Sequence, residues 1–125
     1  MSSETILYIG GIFNLVFAVF HLSFWRIFNW QKDLKDIRFV NRAIMQILNL
    51  SLTFIFFIFA FLSFTHTYDL LITRVGHTIL TSISLFWFLR ALMQIAFFGF
   101  KNKLSVLFFV LFIFGGFIYM YPLIR

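Results

Sequence analysis

Cysteine does not occur in this chain of 125 residues, which removes disulfides, thiol-disulfide exchange, thiolate nucleophiles and Cys-based metal sites together. Acidic residues are almost as scarce. Glu4, Asp33, Asp36 and Asp69 are the only carboxylates, and each falls in the amino-terminal tail or in a connection between apolar runs. An interior without acid has no obvious site for proton-coupled cation exchange. Recognisable catalytic patterns are missing too: there is no HExxH, no multi-His iron pattern, no GxSxG, no phosphate-binding glycine loop, and no nucleophile with a base beside it. Without a Pro/Gly/Ser-rich linker or low-complexity stretch, residues 1–125 are expected to form a single domain. The start, "MSSETILYIGG", lacks the basic stretch of a signal peptide and leads into an apolar run too long for one, so that run is expected to stay in the mature chain.

Apolar surface is what the chain has in excess. Hydrophobic residues make up 62% of it, with 22 Phe against ten basic and four acidic side chains, more than a soluble domain of this length can bury. A helix crossing the hydrocarbon core needs about 20 apolar residues, and four uncharged or nearly uncharged runs approach that length. They predict an all-α integral membrane protein with helices over about 5–28, 42–65, 72–100 and 104–124, in an up-down four-helix bundle. Shorter alternating segments of about 10 residues, the mark of an outer-membrane barrel, are absent. Segment 29–41 alternates Trp30, Leu34 and Ile37 with Lys32, Asp33, Lys35, Asp36 and Arg38, a pattern expected of a short interfacial helix or turn.

Lys and Arg are distributed unevenly. Arg26, Lys32, Lys35, Arg38 and Arg42 crowd the first connection and Lys101 and Lys103 the third, while the opposite side has only Arg74 and Arg125. By the positive-inside rule both basic loops are expected in the cytoplasm and both termini outside, most simply in a bacterial inner membrane. The net charge of +6 then reads as topological bias and as contact of those seven residues with anionic phospholipids, rather than as a nucleic-acid surface.

Polar side chains inside a span are the natural functional candidates, because each is costly unless paired or hydrated. Counting about 1.5 Å per residue from the basic ends, His21, Gln46, Asn49, Arg90 and Gln94 all fall in the inner half. Arg42, Gln46, Asn49 and Thr53 draw one stripe on the second helix, and Asn14, Ala18, His21 and Trp25 draw one on the first. Arg90 stands out, since a guanidinium stays charged and no intramembrane carboxylate can receive it. It either snorkels to the headgroups along its own helix or meets amide oxygens such as those of Gln46 and Asn49, water, a lipid phosphate, a bound anion or another subunit. His21 is expected to bond Asn49 or a backbone carbonyl. Neither His66 nor His77 matches its depth, so a bis-His haem within one chain is not expected. A weak pairing of His66 with His77 remains open.

Further stripes read as packing: His77, Thr81, Ser84, Phe88 and Ala91 on the third helix, with small residues at Gly10, Gly11, Ala18, Gly115 and Gly116. The hexads "RAIMQI" (42–47) and "RALMQI" (90–95) lie on consecutive helices of opposite direction, so they are expected to be two sides of one polar layer rather than a tandem repeat. Two functional classes follow. One is a non-enzymatic accessory or assembly subunit of a membrane complex, or a self-associating bundle, with no cofactor and no metal. The other is a binding module whose inner cluster holds a quinone, a lipid headgroup or an anion. An oligomeric channel or transporter is a third and less direct reading, because four helices enclose little room.

Overall fold

A computed structural model describes all 125 residues as helices joined by short turns, with no strand. Four helices are long and apolar enough to cross a membrane: α1 (Ser3–Leu22), α4 (Phe39–Thr65), α6 (Arg74–Phe98) and α7 (Lys103–Ile124). At about 1.5 Å per residue the shortest, with 20 residues, spans about 30 Å, the thickness of a hydrocarbon core. Between them lie α2 (Phe24–Ile27), α3 (Trp30–Asp33), a 3₁₀ turn (Leu34–Asp36) and α5 (Thr67–Ile72).

One expected helix is subdivided. The run 5–28 breaks at Ser23, whose N–H is shared between the carbonyls of Val19 and Phe20 and whose hydroxyl donates to Val19 O at 2.9 Å. Spending the serine on its own last turn tightens and closes the helix there. Asn29, in the left-handed region (φ 53°), then turns the chain, a conformation that asparagine tolerates better than most residues. The third run is one helix, Arg74–Phe98, and the connection before it holds the short helix α5. Thr73 caps α6 by accepting from Gly76 N at 2.8 Å, which leaves Thr67–Ile72 as a separate short helix. At its far end α6 stops at Gly99 (φ 73°), and Asn102 caps α7 through Leu104 N at 2.8 Å.

Cross-helix contacts set the directions. Tyr8 meets Phe64 while His21 meets Asn49, so α1 and α4 are antiparallel. Phe88 meets Phe117 while Gln94 meets Ser105, which orients α6 against α7. Asn14 meets Tyr119 while Phe20 meets Phe108, closing α1 onto α7. The helices therefore alternate, and the termini share one end, where Tyr121 donates to Met1 O at 2.9 Å.

One aromatic residue from each long helix forms the centre. Trp87 is fully buried, stacked on Phe56 at 5.1 Å and on Phe112 at 5.7 Å, with Phe17 at 5.1 Å. Glycines allow α1 and α7 to approach: a Cβ on Gly10 would meet the Tyr119 ring at 2.7 Å, and one on Gly115 the Phe13 ring at 2.6 Å. Facing α4 and α6 are bridged instead by large rings, Phe56 and Phe59 against Phe86 and Trp87. That wide side is what separates the two hexads.

Candidate functional site

All seven basic loop residues lie at one end of the bundle, where α1 and α6 finish and α4 and α7 begin. Arg26, Lys32, Lys35, Arg38, Lys101 and Lys103 are exposed and Arg42 is half-buried. Asp33 and Asp36 are the only acids at that end. The α2–α3 segment folds back under the bundle here, anchored by buried Leu34, and encloses a cavity of about 550 Å³ bounded by α1, α6 and α7 as well.

Three of the five inner polar residues, His21, Arg90 and Gln94, edge this cavity. Their partners determine what each presents. Asn49 Nδ2 donates to the His21 carbonyl at 2.9 Å, which fixes the amide so that its Oδ1 faces His21 Nδ1 at 2.7 Å. An amide oxygen can only accept, so Nδ1 carries the proton. In the neutral ring Nε2 is then a bare acceptor, and it has no partner within the chain. The ring is also stacked on Phe24 at 4.3 Å. On α6, Gln94 Nε2 donates to Ser105 Oγ at 3.3 Å, and Ser105 in turn donates to Gly99 O at 2.8 Å. Gln94 Oε1 is left as a second free acceptor.

Arg90 points toward the neighbouring helix α7. Its guanidinium lies 4.6 Å from the centroid of Phe112 on α7, a cation–π contact that covers one face and leaves the N–H edge unsatisfied. The amide oxygens expected to receive it are engaged elsewhere: Asn49 Oδ1 with His21, and Gln46 Oε1 with Trp25 Nε1 at 3.1 Å. Gln46 also donates to Arg42 O at 3.2 Å. It belongs to a second, shallower pocket of about 360 Å³ with Trp25, Trp30, Gln31, Leu34, Lys35 and Arg42. Met45 of the first hexad reaches the cavity edged by Arg90 and Gln94, but the polar side chains of the two hexads face different hollows and do not build one layer; bulky rings hold α4 and α6 too far apart for them to meet.

Other expected groupings also come apart. His66 donates to Thr65 Oγ1 at 2.8 Å and His77 to Leu71 O at 2.7 Å, so the two imidazoles do not pair. On the stripe from His77 to Ala91, His77 and Thr81 are exposed while Ser84 is buried and donates to Gly116 O at 2.8 Å. One buried network lay beyond sequence reasoning. Asn14 Nδ2 donates to Tyr119 Oη at 2.8 Å, and Tyr119 donates to Ser63 Oγ at 2.6 Å, since the Ser63 proton is committed to Phe59 O. Tyr119 sits in an aromatic-rich run that reads as lipid-facing, and nothing local marks its hydroxyl as internal. Ser105 and Phe112 were more accessible to foresight: Gly99 to Asn102 make a tight turn, so residues equally far on either side of it come level.

No protein-family model, curated protein or solved structure matches the chain. The geometry of this end of the bundle is therefore the ground for a functional reading.

Proposed function

We propose that the chain is a membrane-embedded binding module that holds an amphiphilic molecule in the cavity beneath the α2–α3 segment, with the head group on Arg90. The carrying observation is a permanent cation, set two turns inside α6, that edges the cavity and finds no acceptor in its own chain. A half-buried cation with no partner in its chain is costly within a membrane, and an acceptor brought by a ligand would relieve it. Aromatic rings, Phe20, Phe24, Phe28 and Phe108 among them, line the apolar part and suit the hydrocarbon portion. Basic loops face the cytoplasm and both termini the opposite side of a bacterial inner membrane in this reading, which opens the cavity toward the inner leaflet. The exposed lysines and arginines there, and the pocket between Lys35 and Arg42, contact anionic headgroups.

Solvent extraction and mass spectrometry of protein purified in mild detergent test the proposal. One molar equivalent of a lipid or other amphiphile is expected with the wild type and should fall at least severalfold in Arg90→Met. Bare wild-type protein would defeat the reading.

A second reading is favoured by α6. Its Thr78, Thr81 and Ser82 are exposed, and a face of small hydroxyl residues suits helix-to-helix contact in a membrane. An accessory subunit, or a bundle that associates with itself, would cover that face. Crosslinking in native membranes from single cysteines at Thr78 and Ser82 should trap a defined partner if so, and yield only monomer if the face meets lipid.

A further inference from the structure

We infer that the molecule held in this cavity is a quinol, a neutral aromatic ring with two phenolic hydroxyls and an apolar tail. The inference rests on the binding reading above and narrows it by hydrogen-bond type.

The long helices α1 and α6 bring one donor group and two acceptors to the cavity, and Trp30, Asp33 and Asn102, from the connections, are further polar residues of its lining. Arg90 supplies unsatisfied N–H groups, while His21 Nε2 and Gln94 Oε1 supply lone pairs. A phosphodiester or carboxylate group has acceptors only; it would satisfy Arg90 but set its oxygens against the lone pairs of His21 and Gln94. Asp33, also on the cavity wall, adds a negative charge that repels an anion. The oxidised ring, a quinone, again has acceptors only. A quinol carries both functions, so that one hydroxyl donates to His21 Nε2 while the other oxygen accepts from Arg90.

Shape and polarity agree. His21 and Phe24 stack within 30° of parallel, as do Phe20 with Phe108 and Phe108 with Phe112. Flat walls of this kind receive a planar ring better than a tetrahedral phosphate. A volume of about 550 Å³ lies within the range of small-molecule sites, roughly 300–1,000 Å³. Asn49 is a positioning residue here, because its amide dictates which imidazole nitrogen is left bare.

Titrating the full chain in phosphatidylcholine nanodiscs, under anaerobic conditions, gives the test. The probes are a decyl-substituted benzoquinol, its quinone and the dimethyl ether of the quinol, with quenching of tryptophan fluorescence as the readout, since Trp30 lines the cavity. The quinol should bind about tenfold more tightly than either analogue, because a buried acceptor left without its hydrogen bond costs about that factor. In the double variant His21→Phe/Asn49→Leu, which removes the imidazole acceptor and the amide that positions it, the preference should fall severalfold, with Gln94 Oε1 the acceptor that is left. Equal affinity for all three probes, or an undiminished preference in the folded double variant, overturns the inference. The ether comparison needs no mutant, so it stands even if the variant does not fold. Should the wild type retain phosphatidylglycerol on purification and ignore the quinol, the binding reading survives and the quinol falls; should it bind neither, both fall.

Discussion

Asn49 holds His21 at two points, the imidazole Nδ1 and the backbone carbonyl, across 28 residues of sequence. Both bonds lie in the apolar interior, where Asn49 is only 6% exposed and water cannot replace what is lost. Leucine is close to asparagine in size, so Asn49→Leu removes the bonds with little change in packing. Hydrogen bonds between membrane helices contribute about 0.6 kcal/mol on average and up to about 1.7, and two are broken here. The variant should lose about 1–2 kcal/mol of unfolding free energy, read from denaturant titration of the purified protein. Gln46→Leu provides the comparison. Gln46 is half-buried at the bundle's rim, where its partners can turn to interfacial water, so its loss should be a few tenths of a kcal/mol. Equal costs for the two variants would mean that the pair does not clamp α1 to α4. Arg90 poses a separate question at this scale: its contact with Phe112 directs the side chain into the bundle and away from the path along its own helix.

Helix ends, rather than helix existence, are where this chain departs from its sequence pattern. Backbone amides in lipid must bond within their own segment, so each long apolar run had to be a helix, and length alone identified four. The ends depend on single residues. Ser23 closes α1 by bonding Val19 and does not interrupt an apolar run, so hydropathy passes over it; Thr73 opens α6 by accepting from Gly76, beside Arg74, where the run was already expected to begin. Pairing across helices was legible where depth and face coincided, as for His21 and Asn49. It failed for Gln46 and Arg90, because depth says nothing about the large rings of Phe56, Phe59 and Trp87 that separate α4 from α6. Gly76 allows a test at the level of the element. A Cβ there would collide with backbone, at Leu70 Cα and at the carbonyls of Asp69 and Leu70, so the turn between α5 and α6 has no flexible side chain to yield. Gly76→Ala should destabilise by about 1–3 kcal/mol. Gly10→Ala meets the Tyr119 ring instead, which can rotate away at the expense of its bonds to Asn14 and Ser63. If Gly76→Ala unfolds at the wild-type midpoint, α5 is not packed against α6 as described.

For the molecule as a whole, the alternating helices gather seven of the ten basic residues at the cavity end and leave Arg74 and Arg125 at the other, with Arg90 between. Each end also holds two acids, Asp33 and Asp36 at the first and Glu4 and Asp69 at the second, so the polarity comes from the basic residues alone. Orientation in a membrane follows the excess of Lys and Arg in short connections, with acids counting little, and seven against two is a strong bias. The absence of cysteine makes this directly measurable, since any cysteine introduced is the only one to react. Ser2→Cys and Phe100→Cys place one thiol at each end, neither replacing a charge. A membrane-impermeant maleimide added to spheroplasts should label Ser2→Cys at once and Phe100→Cys only after permeabilisation. Replacing Arg26, Lys32, Lys35 and Arg38 by glutamine leaves three basic residues against two. In that background both thiols should label partially in intact spheroplasts, as molecules insert either way. If Phe100→Cys labels fully from outside in the otherwise natural chain, the cavity and Arg90 belong to the outer leaflet, and a ligand would have to enter from that side.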